Sequence, residues 1–143
     1  MTIASILARK GGNVVCVGPG EDAVSVAATL SSHRIGAVLV QDAKGTLLGI
    51  LSERDIVRAV GKEGTAALAM TARQMMTAEI HSVSPETSIN AALGEMTDRR
   101  IRHLPVMAGG SLAGMVSIGD LVKARMDAII EEAESLRAFV TAS

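Results

Sequence analysis

The chain writes one hydrophobic pattern twice, and that repetition restricts it to folds in which two copies of a small unit complete each other. Segment Val17–Arg58 aligns with Val83–Lys123. At an offset of 66, Val17 pairs with Val83, Pro19 with Pro85, Ile35 with Ile101 and Val40 with Val106. One extra residue near Lys44–Gly45 changes the offset to 65. Beyond it Leu47 pairs with Leu112, Gly49 with Gly114, Ser52 with Ser117, Asp55 with Asp120 and Val57 with Val122.

Each copy predicts the same elements. After Pro19, residues Ala23, Val26, Ala27 and Leu30 fall at i, i+3, i+4 and i+7, one face of a helix; Ile89, Ala92, Leu93 and Met96 repeat this after Pro85. Short apolar runs follow, Ala37–Val40 and Leu104–Val106, then a turn ("DAKG", "AGGS") and a second run, Leu47–Leu51 or Leu112–Val116. Two such runs around a Gly-bearing turn predict a hairpin. Each copy closes on Ser-x-x-Asp ("SERD", "SIGD") and enters another helix. The expected fold is α/β (α+β), each copy β-α-β-β-α, the two packed sheet against sheet with pseudo-two-fold symmetry.

Composition narrows the function. The 143 residues are 48% hydrophobic but 1% aromatic, with no Trp or Tyr, so the core must be aliphatic and Met-rich. Single-stranded nucleic-acid binding by stacked rings would have a single Phe to use. A net charge of −1 offers no basic field for nucleic acid. The lone Cys16 lies in an apolar run, excludes an internal disulfide and reads as a small core residue in a reducing compartment. No apolar stretch suits a signal peptide or a membrane span, so the expectation is a cytoplasmic chain with no membrane partner.

Ser-x-x-Asp has two readings. A Ser before a helix with a carboxylate three residues on is a capping box that satisfies free amides. The same groups can bind a ligand: a carboxylate accepts from vicinal sugar hydroxyls, while helix starts, hydroxyls and arginines favour phosphate. His33, His81 and His103 lack metal-binding spacing, and no metal is expected. No nucleophile arrangement or phosphate-binding glycine loop is present, so the chain reads as a non-enzyme. For Arg99 and Arg100 a solvated helix end and a phosphate clamp remain open.

The segments "IGAVLVQDAKGTLLGILSERDIV", "IRHLPVMAGGSLAGMVSIGDLV" and "MMTAEIHSVSPETSINAALGEM" resemble the CBS-domain pair, or Bateman module, from about Val14 to Met126. The resemblance implies a regulatory module binding an adenine nucleotide (AMP, ADP, ATP or an NAD-type dinucleotide, with S-adenosylmethionine less favoured) in the cleft between the copies. It implies two sites. In site A, Asp120 takes the ribose, Ser117 supports phosphate, Met115 lies beside the base, and Arg102 stands where family members place a phosphate-binding arginine. Asn13, Val14 and Val15 close over the adenine. In site B the corresponding residues are Asp55, Ser52 and Ile50, with Thr77, Ala78 and Ile80. There Gly36 replaces the arginine, and Arg54 or Arg34 compensates.

The expected layout is an N-terminal helix (1–12), copy one (13–61), a linker (62–76), copy two (77–126) and a C-terminal helical extension (127–143). Val122, Met126, Ile129, Ala133, Leu136 and Val140 step by 4, 3, 4, 3 and 4, a heptad seam. Ile3, Ile6 and Leu7 form a second apolar face. The ends either pack on each other or form an interface, for which a homodimer or an unidentified protein partner is the expectation. A ligand-free dimerisation or scaffold module is the alternative. A fragment of inosine-monophosphate dehydrogenase is disfavoured because its barrel needs about 250 residues.

Overall fold

A computed structural model describes residues 1–142; Ser143, the last residue of the expected extension, lies outside the described residues. The elements in order are α1 (Ile3–Lys10), β1 (Cys16–Val17), α2 (Ala23–His33), β2 (Ala37–Gln41), β3 (Leu47–Ser52) and α3 (Glu53–Glu63). A 3-10 turn (Gly64–Ala69) leads to α4 (Ala72–Met75), then α5 (Ile89–Arg99), β4 (His103–Ala108), β5 (Ser111–Ser117) and α6 (Ile118–Ala142). They form two compact units, one of Val14–Ile80, the other of Met1–Asn13 with the chain from His81 onward.

In the Val14–Ile80 unit, β1 runs parallel to β2, which pairs antiparallel with β3. Helix α2 starts where Asp22 accepts from the Ser25 amide at 2.8 Å and stops at Arg34, which adopts a left-handed conformation (φ 55°). Its face of Ala23, Val26 and Leu30 packs on Val38, Val40 and Leu51. Ala27, expected on that face, is exposed instead and lines a groove of about 610 Å³ with Leu30, Ile35, Ile56 and Val57. Helix α3 closes the groove's far side, so an inward position at Ala27 meets open space.

The other unit repeats this construction. Ser88 caps α5 through the Ala91 amide at 3.0 Å, and Arg100 ends it at φ 54°. Strands β4 and β5 are antiparallel, with an irregularity between Val106 and Met107 that matches one between Val40 and Gln41. Gly109 and Gly110 both have positive φ (58° and 80°), the pairing that a tight two-residue hairpin turn requires. The expected first strand is reduced to one bridge, Val83 to Val106. Pro105 supplies the reason. In the first unit the Leu39 amide donates to Val15 O at 3.2 Å; the matching position is Pro105, which has no N–H to donate.

Each unit is completed by the lead-in segment that precedes the other copy. Helix α1 precedes copy one, yet Ile3 and Ile6 are buried with Ile89, Met96, Leu104, Val106 and Leu121 of copy two. The Ile3 amide donates to Thr87 O and the Ala4 amide to Pro85 O, both at 2.9 Å. Helix α4 precedes copy two but docks on copy one through Ala72 to Glu21 O (2.7 Å) and Arg73 to Pro19 O (3.0 Å). These bonds are equivalent rung for rung.

Two strand glycines let the lead-ins approach. A Cβ on Gly114 would stand 2.7 Å from Leu7 Cδ2, and one on Gly49 would stand 2.6 Å from Met76 Sδ and 2.7 Å from Thr77 O. Ile3→Ala should cost about 2–5 kcal/mol, as expected for a large aliphatic residue fully removed from water. Urea unfolding monitored by circular dichroism measures it; a loss below about 1 kcal/mol would show α1 detached in solution.

Candidate functional site

Both strand-to-helix junctions are built alike. Ser52 ends β3 and Ser117 ends β5, and each is followed at once by a helix. The first helical amide is tied to the residue just before the first hairpin strand: Glu53 N donates to Gly36 O at 2.9 Å and Ile118 N to Arg102 O at 2.8 Å. Gly36 and Arg102 therefore hold the same place in the two copies.

Asp55 Oδ2 accepts from the Ser52 amide at 2.8 Å and from its hydroxyl at 3.1 Å, while the Asp55 amide donates back to Ser52 Oγ at 3.4 Å. Asp120 Oδ2 accepts from the Ser117 amide at 2.9 Å, and the Asp120 amide donates to Ser117 Oγ at 3.2 Å. This is the capping box that residue spacing alone predicts. It uses one carboxylate oxygen of each Asp and fixes the other in place.

Around Asp55, the backbones of Ile50 and Thr77 exchange hydrogen bonds of 3.0 and 2.9 Å, laying the lead-in across β3. Ile50 and Ile80 are half-buried; Thr77 and Ala78 are exposed. The arginine that reaches Asp55 is Arg58, at 3.4 Å to Oδ1, with its own side chain 74% exposed. Arg54 is exposed and makes no ion pair among the described residues. Arg34 caps α2 and lines the groove beside α3, together with Gly36 and Glu53. The groove does not include Ser52 or Asp55, so its volume is not evidence for site B.

Around Asp120, the structure adds a residue that the sequence does not single out. Lys10, the last residue of α1, places Nζ 2.7 Å from Asp120 Oδ2 and 3.0 Å from Met115 O. It thus touches two of the residues assigned to ribose and base. Its only signal in the sequence is a basic residue ending a short amphipathic helix. Asp120 Oδ1 accepts no hydrogen bond among the described residues. Met115 is half-buried, and Asn13 and Arg102 are exposed; Val14 and Val15 belong to the Val14–Ile80 unit, where both are half-buried. Arg99 pairs with Glu95 at 2.7 Å on the surface of α5. Cys16 is half-buried, and burial pushes its thiol pKa up, which disfavours the reactive thiolate.

Burial of the Asp120 carboxyl acts to raise its pKa. The Lys10 hydrogen bond, the Ser117 amide, the Lys10 charge and the Ser117 hydroxyl together outweigh it, so the carboxyl titrates below its usual value. A depressed folded pKa contributes stability above the unfolded value of about 4, and that contribution is lost as pH falls through the folded pKa. Lys10→Met removes two lowering influences and leaves the burial, so the folded pKa rises. Acid unfolding should then begin at higher pH than in the unmodified chain; coincident acid transitions would show that the pair does not form in solution.

Among the described residues, no group of His, Cys, Asp and Glu is arranged to hold a metal ion. No helix among them is long and apolar enough to cross a membrane.

Comparison with known proteins agrees with this duplicated construction. A family model for the CBS domain matches residues 3–62 and again 72–127. The mitochondrial CBS domain-containing protein CBSX3 of Arabidopsis thaliana is 32% identical over 97% of this chain and 71% of its own length. The CBS domain-containing protein YhcV of Bacillus subtilis is 31% identical over 79% of each chain. The crystal structure of a CBS-domain-containing protein from Agrobacterium tumefaciens superposes with a TM-score of 0.86 at 44% identity, covering 87% of this chain and 92% of that one.

Proposed function

The chain belongs to the CBS-domain family as a tandem pair, a class of generally regulatory, non-catalytic modules, and from that premise we propose that it senses an adenine nucleotide. The ligand class is AMP, ADP, ATP or an NAD-type dinucleotide, with S-adenosylmethionine the less favoured adenosine compound.

One observation carries the reading. Each copy holds a carboxylate at a helix start by its Ser partner through Oδ2; Asp120 Oδ1 is open, and Asp55 Oδ1 meets only the largely exposed Arg58. A ribose diol needs a fixed acceptor of this kind, and a bond to a charged group contributes about 1.5–3 kcal/mol. Phosphate is served by the Ser hydroxyls, by the helix N-termini and, beside Asp120, by Arg102. Site A is Asp120, Ser117, Met115 and Arg102, with Asn13, Val14 and Val15 as the proposed adenine cover. Site B is Asp55, Ser52, Ile50, Thr77, Ala78 and Ile80, with Arg54 as the proposed phosphate contact; it lacks the arginine that Gly36 replaces.

The exposed side of α6 supports a second element of the proposal, a homodimer. Met126, Ile129, Leu136 and Val140 are 49–64% exposed on one stripe of this helix. A second copy of the same stripe buries it in the way coiled-coil seams do. Nucleotide would then act by favouring one arrangement of the dimer or of a bound protein partner, which requires different affinities for the two arrangements. A ligand-free scaffold would keep the dimer and lose the nucleotide.

Three measurements test the proposal. In calorimetric titrations with AMP, ATP and NADH, Asp120→Ala should weaken binding roughly ten- to a hundredfold, because about 1.4 kcal/mol is one factor of ten; an unchanged affinity removes Asp120 from the site. A thermal-shift panel that finds no stabilisation by any adenylate, dinucleotide or S-adenosylmethionine would leave the scaffold. In sedimentation, Leu136→Glu should turn a dimer into a monomer, and a variant that sediments as the unmodified chain does would place the interface elsewhere.

A further inference from the structure

We infer that Lys10 makes the Asp120 site selective for phosphate-bearing adenine ligands over the neutral nucleoside, an inference that rests on the adenylate reading above. The two lead-ins dock by equivalent bonds: Thr2 bridges Ser88 as Thr71 bridges Asp22, and Ile3 donates to Thr87 as Ala72 donates to Glu21. Those pairs stand 69 positions apart in the chain, whereas Val17 and Val83 stand 66 apart. The first lead-in is therefore three residues longer. The surplus is taken up as helix: α1 spans eight residues and α4 spans four. Lys10 sits in the added turn and has no counterpart in α4.

The added turn is held firmly. Leu7 packs against Gly114, and Gly12 approaches β5 so closely that a Cβ there would stand 2.7 Å from Ala113 O. The backbone on both sides of Lys10 is thus fixed to the strand that ends in Ser117. The ammonium spends two of its three donors on Asp120 Oδ2 and Met115 O. No such cation faces Asp55, whose arginine partner lies on its own helix, largely in solvent.

A ribose diol that donates to both Asp120 oxygens takes the open Oδ1 and competes with Lys10 for Oδ2. An adenosine that does so neutralises nothing: it weakens the Lys10 ion pair, whose lysine side chain is 40% exposed, and supplies no new counter-ion. A ligand with a 5′-phosphate brings a new counter-ion within the sweep of a four-carbon side chain whose backbone stays in place. The ion pair therefore penalises a neutral nucleoside and not a nucleotide. Site B carries no such penalty.

The test is calorimetry with AMP and adenosine on chains carrying Asp55→Asn, which silences site B while leaving Ser52 to cap α3. With Lys10 present, AMP should bind at least about tenfold more tightly than adenosine, as one charge-assisted contact provides. In Lys10→Met the ratio should fall to about threefold or less, through weaker AMP binding and stronger adenosine binding. Lys10→Arg should restore the preference. A ratio unchanged by Lys10→Met, with AMP still binding, overturns the role of Lys10 and leaves the adenylate reading standing. Absence of binding by either ligand in every chain, including the one with both native residues, overturns that reading and this inference with it.

Discussion

Gly49 and Gly114 sit at the centre of their strands, and at each the surface of the sheet is laid bare for want of a side chain. Another segment of the chain occupies the space at once: Met76 and Thr77 over Gly49, Leu7 over Gly114. A Cβ would meet the Thr77 carbonyl at Gly49 and the tip of the Leu7 side chain at Gly114, so both glycines favour the close approach of the lead-ins. Burial of Ile3 and Ile6, the bonds to Thr87 and Pro85, and the reach of Lys10 to Asp120 all depend on the contact at Gly114. In the other unit, the Ile50–Thr77 pairing and the burial of Ala72 and Met75 depend on Gly49 in the same way.

At the Ser-x-x-Asp junctions the observed capping is compatible with the proposed ligand binding. A helix start needs an acceptor for its free amides, and the Ser hydroxyl supplies it. The carboxylate returns a bond to the Ser amide through one oxygen and becomes immobile. An immobile carboxylate is a better host for a diol than a free one, because the ligand need not order it. The bond that stabilises the helix therefore also pre-orders the carboxylate of the proposed site.

Much of this was legible in the residues. The doubled pattern gives the β-α-β-β-α order, the hairpins and the junction positions, because apolar periodicity and turn residues are local signals. Ala27 satisfied the helical spacing and still faces a groove, since spacing reports a face and not the width of what covers it. The missing first strand of copy two turned on Pro105, a donor lost in the partner strand and not in the strand itself. Lys10 was illegible for a different reason. Its partner lies 110 positions away, and only the docking of α1 on the second copy brings them together. Nothing in the spacing of Ile3, Ile6 and Leu7 says which copy they cover.

Two copies of one motif ordinarily inherit one taste in ligands, and altering it is expected to need new side chains in the pocket itself. The surplus turn of α1 offers another route. Three added residues, the lysine among them 110 positions from Asp120 in the chain, carry a charge to one junction and leave its twin untouched. Symmetry in the duplicated core can stay almost intact while its two halves come to answer different chemical signals.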